Sequence, residues 1–387
     1  MREARRARIA VACIFAANGA LFGSWAPRIP EVKADLHMSS AVLGLVLLAM
    51  AVGSLLAMPL VGAVLPRYGS ARLTRAMYVG FCATFALIPV AGGPLALAVI
   101  LLVTGTVMGG LDVSMNTAGV TVERRYGRSV LSGFHAAFSL GALLGAGVGS
   151  AGAGLGVPLG WQLPGFAALL LAAGLPLTWL LLPDPPPEPG EKPPQAFSRP
   201  TMALLGLGAA SFAVLLAEGA TADWSAIYLR EDLGTSPGVA GLAFGCFSAT
   251  MTLGRLVGDR VLTRYGRLTV IRGLCLLAAV GLGIGLATGT VVGGVAGFAV
   301  LGVGISVAFP AMLSEAGDGQ AHPGPAIAAV TTCGYTGFLV GPPTIGAVAE
   351  LVGLPVALFL LPVLTGVAAL VVSRSVRRPA PVQPGAR

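Results

Sequence analysis

Pro183-Asp184-Pro185-Pro186-Pro187-Glu188-Pro189-Gly190-Glu191-Lys192-Pro193-Pro194 interrupts an otherwise apolar chain near its middle. Proline has no amide proton and fixes φ, so this run cannot continue a helix and reads as an extended linker. Before it, apolar stretches fall near 9–28, 39–63, 74–92, 95–119, 130–153 and 162–182. After it, they fall near 201–222, 238–260, 269–289, 292–313, 326–350 and 354–373. About 20 mostly apolar residues carry a helix across the hydrocarbon core. The pattern predicts an all-α membrane protein with twelve transmembrane helices in two six-helix bundles. Its divisions are a first bundle at 1–182, a linker at 183–200 and a second bundle at 201–387.

Composition agrees with a lipid solvent. Of 387 residues, 55% are hydrophobic and 10% charged, against roughly 25% charged in a soluble domain. The 56 glycines suit packed membrane helices, whose backbones approach closely through small residues. The net charge of +8 does not indicate nucleic acid, because the basic residues sit in short connectors and at the termini. Among the 24 Lys and Arg, all but Arg28, Lys33 and Arg230 fall on or near the side of the N terminus. The positive-inside bias then predicts an inner (plasma) membrane protein with both termini cytoplasmic. Arg2, Arg5, Arg6 and Arg8 precede an apolar run, as in a signal sequence. The run continues past Trp25 without a small-residue cleavage site, so a retained first span is expected. The cysteines Cys13, Cys82, Cys246, Cys275 and Cys333 lie scattered in apolar segments with no metal spacing, and read as small buried hydrophobes.

The two halves repeat one another. Gly44-Leu45, Arg67-Tyr68-Gly69 and Arg75 recur 197 residues later as Gly241-Leu242, Arg264-Tyr265-Gly266 and Arg272. Gly141 and Gly145 recur 196 residues later as Gly337 and Gly341. Asn18-Gly19 with Trp25 has a looser counterpart in Glu218-Gly219 with Trp224. A nearly constant offset marks duplicated six-span units.

These features resemble the major facilitator superfamily over almost the whole chain. The signature between its second and third spans, a glycine, an acid and basic residues around a second glycine, corresponds here to 62–72. Pro66 stands in the acid's usual place, with Arg67 and Arg72 around it. The second half, Gly258-Asp259-Arg260 through Arg264 and Gly266, keeps an acid, though earlier in the motif. A conformational latch of Arg67, Arg72, Arg255, Asp259, Arg260 and Arg264 is expected, stronger in the second half. Arg255 and Asp259 lie four apart on one helix, suited to pairing. The segments 18–30, 109–128 and 132–149 look similar to bacterial carriers near the fucose-permease branch. That likeness implies sugar–proton symport with acids on the first and fourth spans, but the first span offers only Asn18.

A charge at the bilayer centre costs on the order of 3 kcal/mol, so each one needs a reason. Asp112 in the fourth span, Glu218 in the seventh and His135 in the fifth are the proton-coupling candidates. A carboxyl withdrawn from water favours its protonated form and releases the proton on renewed hydration. Asn116 lies one turn from Asp112 on the same face. Asn18, Phe22, Trp25, Asn116, Phe138 and Tyr335 are candidates to line a substrate cavity. Gly281, Gly283, Gly285 and Gly289 imitate a nucleotide loop only in spelling; no strand precedes them, and helix packing is the expected role. Pro342 and Pro343 predict a kink or gate in the eleventh span. The expected activity is movement of a small neutral, sugar-like solute with protons by a monomeric carrier lacking cofactors or metals. Efflux of drug-like compounds is the alternative, and a non-transporting membrane sensor the alternative of another class. No nucleophile–base or metal constellation suggests an enzyme.

Overall fold

The computed structural model describes residues 2–126, 130–184, 202–317 and 323–375. They form twelve long helices and, among the described residues, no strand. In the first half these are α1 (Arg2–Trp25), α2 (Ser40–Tyr68), α3 (Ser70–Ala86), α4 (Pro94–Tyr126), α5 (Leu131–Gly154) and α6 (Leu159–Gly174). In the second they are α7 (Met202–Ile227), α8 (Leu242–Tyr265), α9 (Arg267–Ala287), α10 (Val291–Ile305), α11 (Pro323–Val352) and α12 (Leu360–Ser375). Counted with the short helical turns that adjoin them, eleven of these passes are both long and apolar enough to cross a membrane. The other, α11, has 30 residues, ample length for a span; its threonines, glycines and paired prolines dilute the apolar character. The Pro-rich linker, apart from Pro183 and Asp184, lies outside the described residues.

The exterior is inverted relative to a water-soluble protein. Leu60, Leu95, Trp161 and Leu351 are 67%, 80%, 78% and 84% exposed. An apolar outer surface of this extent is stable only against lipid. The repeat seen in the sequence reappears as repeated contacts. Gly141 and Gly145 of α5 abut the Ala16 and Ala20 carbonyls of α1, while Gly337 and Gly341 of α11 abut Phe212 and Leu216 of α7. Each α2–α3 and α8–α9 turn is a single glycine, Gly69 at φ 80° and Gly266 at φ 81°, a region where a Cβ is disfavoured. Gly285 lies against the backbone of Gly293 and Gly297, and Gly281 against Val300, so this run is a helix-packing face.

The halves meet through α2 with α11 and α5 with α8. They are closed at the membrane face opposite the N terminus. There a Cβ on Gly44 would stand 2.6 Å from the Pro342 carbonyl oxygen, and one on Gly238 would stand 3.0 Å from the Gly154 Cα. Thus Pro342, where a kink or gate was expected, lies at a close contact between the halves on this face. Lys33, in the short helix Ile29–Asp35, pairs across the divide at 2.5 Å with Glu231, in the helical turn Tyr228–Asp232 that follows α7. Glu350 of α11 accepts a hydrogen bond from the Ala41 amide of α2 at 3.3 Å.

Candidate functional site

A cluster of polar groups from both halves gathers at mid-length of the helices. On α4, the Asn116 side-chain amide donates to the Asp112 carbonyl at 2.8 Å and to Asp112 Oδ1 at 3.1 Å. The shared face inferred from their spacing is present. On α7, Glu218 meets Arg255 of α8, with Oε1 3.4 Å from Nη2. The same guanidinium crosses the divide and donates through Nη1 to Ser139 Oγ of α5 at 2.7 Å. Ser139 in turn donates to the His135 carbonyl at 3.1 Å. The third direction of the fork, Nε, donates to the Ser306 carbonyl at 3.3 Å.

That last contact has a sequence cause. A helical carbonyl ordinarily accepts the amide four residues on, and position 310 is proline, which has none. The tenth span, expected unbroken over 292–313, instead stops at Ile305 and restarts as Ala308–Gly317. The freed Ser306 oxygen is available to Arg255. A single cation therefore joins one hydroxyl of the first half to a carboxylate and a carbonyl of the second. The Arg255 and Glu218 side chains are each 26% exposed, so the pair borders open space and is not sealed within the helix packing.

Around this pair stand other candidates. The Tyr335 hydroxyl lies within electrostatic reach of Asp112 and Glu218, and its ring meets Phe309 edge-on at 6.5 Å. His135 is exposed, lies within reach of the Arg255 charge and meets Phe15 edge-on at 5.3 Å. Phe22 and Phe138 are half-buried. Asn18 is buried, with its amide 4.0 Å from Met115 Sδ and its Oδ1 without a partner among the described residues. Trp25 is 2% exposed and packs in the core beneath the closed face.

The latch residues divide. Arg67, Arg72, Arg260 and Arg264 are exposed at the face of the N terminus, with Arg67 over the Tyr68 ring and Arg264 over the Tyr265 ring, each at 5.4 Å. Arg255 belongs to the central cluster and turns toward Glu218. The Asp259 side chain, its expected partner, lies outside the described residues. Sequence reading passed over Asp223, half-buried on α7 beside Trp224, and the pairing of Lys33 with Glu231. The signal for that pair was Lys33 itself, one of the few cations on the far face.

The Major Facilitator Superfamily model matches residues 9–314 and 207–387. An uncharacterized MFS-type transporter of Yersinia pestis is 37% identical over 335 residues, spanning 86% of this chain and 86% of its own. Membrane protein MosC of Rhizobium meliloti is 33% identical over 356 residues, 91% of this chain and 86% of that protein. Among solved structures, a variant of the nucleoside transporter NupG superposes with TM-score 0.78 at 15% identity, covering 96% of this chain and 100% of that one. A bacterial homologue of the human lysosomal transporter Spinster, in an inward-facing and unoccupied conformation, gives TM-score 0.73 at 12% identity over 98% and 99%. In sequence and in fold alike, the chain belongs to the major facilitator superfamily, whose members are membrane transporters and not enzymes.

Proposed function

We propose that the protein moves a small solute across the inner membrane by alternating access, coupled to protons, with both termini in the cytoplasm. The observation that carries this reading is the Ser139–Arg255–Glu218 chain, which joins the two halves at mid-length while the face beyond it is closed. A site shared by two bundles, shut on one side, changes its side of access when the bundles rock. With the basic connectors on the cytoplasmic side, the present form is closed outward. Asp112, Glu218 and Asp223 supply intramembrane carboxyls, a kind of group that marks proton and substrate paths.

Reconstituted vesicles test the proposal. A solute panel is offered with and without an imposed pH gradient, and lumenal acidification is followed by an entrapped dye. Wild-type protein is expected to accumulate one class of solute only when protons flow inward. The Asp112→Asn variant is expected to insert normally and lose gradient-driven accumulation. Unchanged accumulation would remove Asp112 from the mechanism, and ligand binding without counterflow would turn the protein into a sensor.

A further inference from the structure

We infer that Arg255 is the anchor for a carboxylate on the transported solute, which is a small monoanion carried together with one proton. This rests on the carrier reading above and departs from the neutral solute expected from sequence. The argument starts from charge. A carboxyl in an apolar setting can become neutral by taking a proton. Arg255 cannot become neutral, since a guanidinium stays protonated at any physiological pH. When the site is empty its charge is met by Glu218, at 3.4 Å. Once Glu218 holds a proton on Oε1, the partners that Arg255 keeps among the described residues are neutral, the Ser139 hydroxyl and the Ser306 carbonyl. A bare cation at that depth is costly, and an anion arriving from the open space is the means of compensating it.

Geometry agrees with one carboxylate and not with a more highly charged group. Arg255 is the cation of the pair, and among the described residues its Nη2 meets Glu218 alone, at 3.4 Å, so a carboxylate taking the place of Glu218 meets the outer edge of the fork. A phosphate dianion would leave one charge unmet. Nearby rings of Phe138, Tyr335 and Phe309 are half-buried, and provide surface for an apolar or ring-shaped body. No covalent bond changes except the O–H formed on Glu218. The cycle carries one proton and one negative charge together, so it is electroneutral.

The test uses hippurate and glucuronate, each beside its neutral amide, on the purified full chain. Thermal midpoint in detergent is measured at mildly acidic and mildly alkaline pH. Each acid is expected to raise the midpoint of wild type more at acidic pH, and the amides to leave it unmoved. In Glu218→Gln, the shift from the acids is expected to become independent of pH. In Arg255→Lys, which keeps the charge and loses the fork, binding of the acids is expected to weaken by at least about tenfold. Amides as effective as acids, or silence from all four probes, would overturn the inference, because the site is built for the carboxylate and not for one scaffold. A fully retained shift in Arg255→Gln, checked for monodispersity, would overturn it too. Vesicle uptake separates this failure from failure of the carrier reading. Proton-linked accumulation that grows with membrane potential at fixed pH gradient is carrier activity with a neutral solute, and sinks the monoanion alone.

Discussion

Asp184 looks like part of the linker in sequence, yet its carboxylate does local structural work. It accepts from the Ser70 amide and the Ser70 hydroxyl, each at 2.5 Å, and from Thr121 Oγ1 at 3.0 Å. Ser70 opens α3, so the charge sits at a helix N terminus, where amides lack partners and the dipole favours an anion. Pro66 displaced the motif's acid from the preceding turn, and Asp184 brings a carboxylate to the same turn from the end of the sixth span. Replacing Asp184 with Ala is expected to cost about 1–2 kcal/mol, the usual scale for a lost cap, and to lower the thermal midpoint; an unmoved midpoint would mean that the three bonds contribute nothing. Single residues were the least legible level. Spacing shows Arg255 only its neighbour Asp259, because four residues is the reach of a helix face. Its partners Glu218 and Ser139 are 37 and 116 positions away, and no local pattern connects them. Pro310, four residues after Ser306, was a readable cause of the freed carbonyl.

Helices were legible because apolar length alone identifies them, and the glycine repeat located the faces along which they pack. Their ends were less so. Acids hold several of those ends: Glu123 accepts from the Val130 and Leu131 amides at 2.7 and 3.1 Å at the start of α5, as Asp184 does for α3. Glu350 does the same for α2, but from the opposite half, which makes a capping bond part of the closure. Closure between the end of α5 and the short helix Pro237–Ala240, just before α8, depends on two glycines meeting. A leucine at Gly238 would occupy the place of the Gly154 backbone. Gly238→Leu is therefore expected to wedge this face apart, with Ser150→Cys labelled severalfold faster by an impermeant maleimide in a background free of native cysteines. Equal labelling would show that the approach of these glycines does not hold the face shut.

For the molecule as a whole, the six-plus-six plan, the pseudo-symmetry and the superfamily were all readable from hydropathy and the constant offset. How the halves lean on each other was not, since a hydropathy profile is the same in every conformer of a rocking carrier. Lys33 and Glu231 report that lean directly. The Lys33 side chain is 11% exposed and Glu231 38%, so solvent weakens the pair and its worth is modest. Lys33→Glu is expected to raise the population open at this face about twofold to fivefold, read from spin-label distances between the halves. Adding Glu231→Lys is expected to restore the wild-type distribution; a double variant as open as the single one would mean the two charges are not coupled.

Pro310 and the carbonyl it frees bear on what kind of traffic the carrier supports. On the unladen half of the cycle, a fixed positive charge stranded in the membrane would forbid reorientation, leaving only one-for-one swapping of cargo. The Ser306 oxygen and Glu218 meet Arg255 within its own half, and in the proposed cycle that partnering would let the vacant molecule turn back alone. If the proposed proton coupling holds, the thermodynamic consequence is net accumulation: repeated one-way delivery limited by the pH gradient, with no requirement for a passenger on the far side.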